Sequence, residues 1–114
     1  MSRRLLSLLI AAVILTLLLS WPVWRYAGST VAGDIGDPLL NTWILAWDAH
    51  ALLSGANVWD ANMYYPLRGV LAYTEHLLGP AVLGLPLQLV SEPLPAYNLT
   101  LLASFPLAFL AAYL

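Results

Sequence analysis

The sequence predicts an all-α membrane protein, on three observations. Hydrophobic residues make up 61% of the 114-residue chain and charged ones only 9%, whereas soluble domains carry about 25% charged residues. The mean hydropathy is +0.81, more apolar surface than a small globule can hide from water. An uncharged stretch from Leu5 to Trp24 also matches the roughly 20 residues needed to cross about 30 Å of hydrocarbon.

The first element is a transmembrane helix within residues 1–26. Arg3 and Arg4 precede its apolar run, which favours a cytoplasmic start, and Trp21, Trp24 and Tyr26 suit the opposite interface as aromatic anchors. A basic start before an apolar core is also the pattern of a cleaved signal peptide, but the run is long for one and more membrane-like sequence follows. The expected location is a bacterial inner membrane.

Residues 27–76 form an extracytoplasmic loop. They hold five of the six acidic residues, both His and three of the five Trp, with Gly, Asn and Pro punctuation. Within them Gly33-Asp34-Ile35-Gly36 leads into a helix near 38–53, with Asp37 as its N-cap and Pro38 at its first position. Ser54-Gly55 closes it.

Residues 77–114 read as a Pro-kinked transmembrane hairpin. Leu77 to Val90 and Ala96 to Leu114 are apolar, and Ser91-Glu92-Pro93-Leu94-Pro95 between them reads as a turn. Pro80, Pro86 and Pro106 imply kinks whose freed carbonyls need neighbours. The turn should face the cytoplasm, although it carries Glu92 and no basic residue. The last apolar run has no Lys or Arg to hold its end at water, so a fragment of a larger helical bundle is expected, its partners being membrane lipid and further helices of the same protein.

Composition also removes function classes. Net charge is -2, with four Arg, no Lys and no basic run, so a nucleic-acid partner is excluded. The absence of Cys rules out disulfides, thiolate metal sites and a Cys nucleophile.

The helix near 38–53 carries the candidate chemistry. Taking Asp37 as zero and about 100° per residue, Asn41 falls at about 40° and Asp48 at about 20°, while His50 falls at about 220°. Asp37, Asn41 and Asp48 therefore make one polar stripe on an otherwise apolar helix. Two carboxylates and an amide can accept a proton from a nucleophile or coordinate a hard divalent cation, with Asp37 and Asp48 as the metal ligands. Equally, Asp37 can serve only as a cap and Asp48 only as an ion-pair partner. Glu75-His76 stands where the second apolar run begins, a costly place for ionisable groups without partners. Trp59, Tyr64, Tyr65 and Arg68 form a mixture common to sugar platforms and membrane interfaces. Asn98-Leu99-Thr100 matches a glycosylation sequon, but inside a span no transferase could reach it.

Asp37-Pro38-Leu39-Leu40-Asn41 resembles the Asp-Pro-x-x-Asn element in the first loop of oligosaccharyltransferase catalytic subunits, and Tyr64-Tyr65-Pro66-Leu67-Arg68-Gly69 is similar to their Trp-Tyr-Pro-Leu-Gly-Arg stretch. The layout resembles the N-terminal part of the C-type superfamily of membrane glycosyltransferases. The run from Gly36 through His50, with Leu71-Ala72-Tyr73-Thr74-Glu75-His76, is also similar to uncharacterised bacterial multispanning proteins grouped near that superfamily. The resemblance implies inverting transfer of a sugar from a polyprenyl-phosphate donor to an extracytoplasmic acceptor. It makes Asp37 the catalytic residue, acting on the acceptor directly or through a divalent cation. Asp34, Asn41 and Asp48 would support that carboxylate or contact substrate, and Arg68, Glu75 and His76 would complete the site, Arg68 or His76 meeting phosphate charge. A second Asp-x-Asp element and a C-terminal periplasmic domain do not occur within these residues. The alternatives are a transporter or flippase fragment and a small non-catalytic membrane subunit.

Overall fold

In a computed structural model, which describes residues 3–114, the chain is all-helical: α1 (Arg3–Leu19), α2 (Asp37–Ser54), α3 (Leu78–Val90) and α4 (Pro93–Tyr113), with 3-10 turns at Val23–Tyr26 and Val70–Tyr73. No strand occurs among the described residues. The body is elongated, 53 × 28 × 25 Å.

Residues 3–26, the described part of the expected first span, do not form one continuous helix. Pro22 lacks an N–H and restrains the residue before it, so α1 stops at Leu19 and the chain continues as the Val23–Tyr26 turn. Trp24 Nε1 folds back and donates to Leu17 O at 2.8 Å, satisfying one of the carbonyls a helix end leaves free. Thr16 and Ser20 hydroxyls donate to the carbonyls four residues earlier, so α1 presents an apolar surface despite them.

The start of α2 also departs from expectation. The helix begins at Asp37 itself, flanked by Gly36, and no side chain caps it. Gly36 O instead accepts from Leu39 N and Leu40 N, and Asp34 Oδ1 accepts from Gly36 N at 2.9 Å. Asp37 is thus left as an exposed carboxylate in the first turn, where the helix dipole favours negative charge. The other end follows the sequence: Gly55 adopts φ 74, a left-handed closure that glycine takes without strain.

The prolines near the C-terminus start helices more often than they break them. Pro80 lies in the first turn of α3, and Pro93 and Pro95 lie in the first turn of α4, where a missing N–H costs nothing because those donors are unpaired anyway. The expected turn at 91–95 is therefore reduced to Ser91 and Glu92. Only Pro86 and Pro106 interrupt helix interiors.

Small residues let the helices approach closely. Ala49, Ala51, Ala81, Gly84 and Ala96 are all buried, and with so little side chain at these positions the backbones can come close and pack tightly. Ile44, Leu71, Val70 and Ala61 form the apolar centre, with Leu40, Trp43, Trp47, Met63 and Leu77 packed around it. The 57–76 segment is fastened to α2 by Trp47 Nε1, which donates to Val58 O at 2.9 Å.

α1 and α4 run antiparallel. Ala27 and Thr30 meet Asn98 near the start of α4, whereas Ala12, Leu15 and Leu19 share a groove with Phe105 and Phe109 near its end. The Ser91–Glu92 connection therefore sits at the same end of the molecule as the chain leaving α1, not at the end of Arg3 and Arg4. Among the described residues α4 is the one helix long and apolar enough to cross a membrane. α3 has 13 residues, about 20 Å of helix, so of the two spans expected in 77–114 only α4 has the length for one.

Candidate functional site

Asn41, Ile44, Leu45 and Asp48 recur on α2 at the three- and four-residue intervals of one helix face, and that face is turned into the bundle. Asp48 is consequently carried inward with the apolar residues around it and is 0% exposed. Neither of its carboxylate oxygens has a hydrogen-bond partner. His76, placed by the segment entering α3, interacts electrostatically with it. Both His76 ring nitrogens are likewise buried and unpartnered. The imidazole stacks on Trp59, ring centroids 4.3 Å apart and tilted by 33°.

Burial pushes the Asp48 carboxyl above its usual range, and the nearby His76 offsets part of that rise. An acid so placed can hold a proton at a pH where an exposed Asp cannot.

A second polar group adjoins the first. The Asn41 side chain meets the Tyr97 hydroxyl of α4, and Glu75 acts on the same Tyr97. Asn41 and Tyr97 line a cavity of about 200 Å³ with Leu45, Leu77, Pro80 and Leu101. Asn41 Oδ1 has no donor. Five residues from three parts of the chain thus form a seam: Asn41 and Asp48 from α2, Glu75 and His76 before α3, and Tyr97 from α4.

The stripe inferred from the sequence does not hold together as one site. Angle about the axis places Asp37 with Asp48, but they are separated by about 16 Å along it. One cation bound by oxygen at about 2.3–2.6 Å cannot be shared across that gap, so Asp37 and Asp48 are not a metal pair. Nor do three or more His, Asp or Glu side chains converge as a metal site among the described residues. Asp34 spends one oxygen on Gly36 N. Arg68 is exposed and lines a hollow of about 420 Å³ with Asp60, Asn62 and Tyr65. That hollow is stiffened by Asp60, whose Oδ1 accepts from Gly69 N at 2.7 Å.

Tyr97 escaped the sequence reading, and Asn98 entered it only as part of a discarded glycosylation sequon. Asn98 is 0% exposed, and its amide nitrogen donates to both Ala27 O and Thr30 O at 2.8 Å. The available signal was two adjacent polar side chains at the head of an apolar helix, which hydrocarbon tolerates only when they have partners.

No family model, curated protein or solved structure matches the chain.

Proposed function

We propose that the chain is the N-terminal part of a membrane glycosyltransferase that moves a sugar from a polyprenyl-phosphate donor to an extracytoplasmic acceptor. The observation that carries this reading is the setting of Asp37. Its carboxylate is exposed on the first turn of a helix whose following turns are locked into the bundle by Thr42, Ile44, Leu45 and Asp48. A rigidly mounted carboxylate facing solvent suits a base that takes the acceptor proton as the acceptor oxygen attacks the sugar carbon and the donor phosphate leaves. The resemblance of Asp37-Pro38-Leu39-Leu40-Asn41 to an Asp-Pro-x-x-Asn element supports the same choice of residue.

The antiparallel pairing of α1 and α4 supports a consistent topology. With Arg3 and Arg4 in the cytoplasm, α1, too short to cross alone, would carry the chain outward together with the Val23–Tyr26 turn that continues it, residues 27–92 would form an extracytoplasmic block and α4 would return through the bilayer. Glu92 then lies outside, where its lack of basic neighbours is no anomaly.

The test is sugar transfer by the full-length gene product in membranes supplied with polyprenyl-phosphate sugars. Asp37→Asn is expected to reduce turnover on the order of 10²–10⁴-fold, the usual weight of a general base. Unchanged turnover would remove Asp37 from the reaction.

A further inference from the structure

We infer that the hollow walled by Asp60, Asn62, Tyr65 and Arg68 is a binding subsite for an uncharged saccharide. The inference deepens the glycosyl-transfer reading and rests on it for its biological role. The binding is measured without turnover, so its failure and the failure of Asp37 in transfer are separate results. Segment 60–69 is a compact loop closed at its neck. Gly69 N donates to Asp60 Oδ1 at 2.7 Å, and just outside that bond Leu71 N donates to Trp59 O at 3.2 Å. The tip is turned by Tyr64, whose φ of 55° is uncommon for a residue with a side chain, and Leu67 N closes the turn on Tyr64 O at 3.0 Å. The base is held to α2 by the bond from Trp47 Nε1 to Val58 O. A loop fixed at base, neck and tip places its side chains before any ligand arrives, which lowers the ordering cost of binding.

The chemistry of the walls selects the ligand. The hollow encloses about 420 Å³, within the range of small-molecule sites. Its one cation, Arg68, and its one anion, Asp60, offset each other, so an ion of either sign gains little there over a neutral molecule. Both groups retain hydrogen-bonding capacity. Asp60 Oδ1 accepts from Gly69 N and Oδ2 from Asn57 Nδ2, and each oxygen keeps a second lone pair. The Arg68 guanidinium is exposed and has no partner among the described residues. Neighbouring hydroxyls on one ring, which donate and accept in turn, match a carboxylate, a guanidinium and the Asn62 amide around one space. Tyr65 completes the set: it is 92% exposed, and its ring offers a flat apolar surface to the C–H face of a sugar. A bilayer anchor accounts for the exposed rings of this loop but not for a carboxylate and a guanidinium sharing one hollow with them.

Saturation-transfer NMR on the 114-residue chain tests this, in micelles of a detergent without a sugar headgroup. The probes are the methyl glycosides of glucose, galactose, mannose and N-acetylglucosamine. Saturable binding of at least one is expected, with Kd on the order of 1–10 mM. Tyr65→Ala and Arg68→Gln should each weaken it about fivefold or more, the loss of one stacking or charge-assisted contact. Both side chains are exposed, so both variants should fold, which an unchanged far-UV circular dichroism spectrum checks. Tyr73→Ala is the control: that ring is 91% exposed but lies outside the hollow, and its loss should leave binding unchanged. The subsite is overturned if none of these glycosides binds saturably, which leaves membrane contact as the role of the rings. It is also overturned if Tyr73→Ala weakens binding as much as Tyr65→Ala, or if inorganic phosphate displaces the glycoside at a lower concentration than the glycoside itself needs.

Discussion

Gly84 offers the sharpest test of how the helices are packed. It is buried on α3 against α4, and a Cβ at this position would meet Thr100 Oγ1 at 2.6 Å and Thr100 Cγ2 at 3.3 Å. The Thr100 hydroxyl is not free to swing away, because it donates to Ala96 O at 2.7 Å and a β-branched side chain in a helix has few rotamers. Rotation would in any case leave another branch of the same residue facing the new methyl. Gly84→Ala gains about 0.8–1 kcal/mol of helix propensity and loses about 1–3 kcal/mol to overpacking. With both Thr100 branches close, the upper part of that range applies, and the net loss is about 1–2 kcal/mol. The assay is unfolding of the chain in mixed micelles, followed by far-UV circular dichroism. Adding Thr100→Ala removes the obstruction and leaves only the propensity gain, so a double-mutant cycle should return a favourable coupling of about 2–3 kcal/mol, the overpacking cost itself. A Gly84→Ala chain as stable as the parent, with no coupling to Thr100, would refute the close approach of α3 to α4.

Two further outcomes follow from the same packing. Asn98→Ala strands the Ala27 carbonyl, which lies in a buried setting, and loosens the Thr30 carbonyl; the expected loss is about 2–3 kcal/mol, and a loss under about 0.5 kcal/mol in the same unfolding assay would show the tie to be idle. For topology, single cysteines at Ser54 and Ser91 should both be labelled by a membrane-impermeant reagent applied outside the cell, whereas labelling of Ser54 alone would contradict the antiparallel α1 and α4 reading.

Much of α2 was legible because its signals are local. Asp37-Pro38 marks its start to within a residue and Gly55 its end, both through backbone constraints carried by the residues themselves. The face shared by Asn41 and Asp48 was legible from angular spacing. Joining Asp37 to that face failed because angle alone ignores the rise along the axis. The direction of the face was also hidden: whether Asp48 points to water or into the bundle depends on α3 and α4, which a single-helix projection does not contain. Pro93 and Pro95 illustrate a second ambiguity, since proline is compatible both with a turn and with the first turn of a helix. The relation of α1 to α4 was beyond reach, because it is fixed by Asn98, Phe105 and Phe109 meeting residues far away in the chain.

The bond from Asn98 to Ala27 has a consequence for biogenesis. Its ends are 71 residues apart, and synthesis proceeds at about 5–20 residues per second, so α1 and the carbonyls at 27 and 30 wait roughly 4–14 s for their partner to be made. During that interval α2 can form from its own local signals, but the bundle cannot close. Until α4 is made, α1 and α2 have only their local contacts, and the carbonyls at 27 and 30 acquire their side-chain donor last, when the head of α4 arrives.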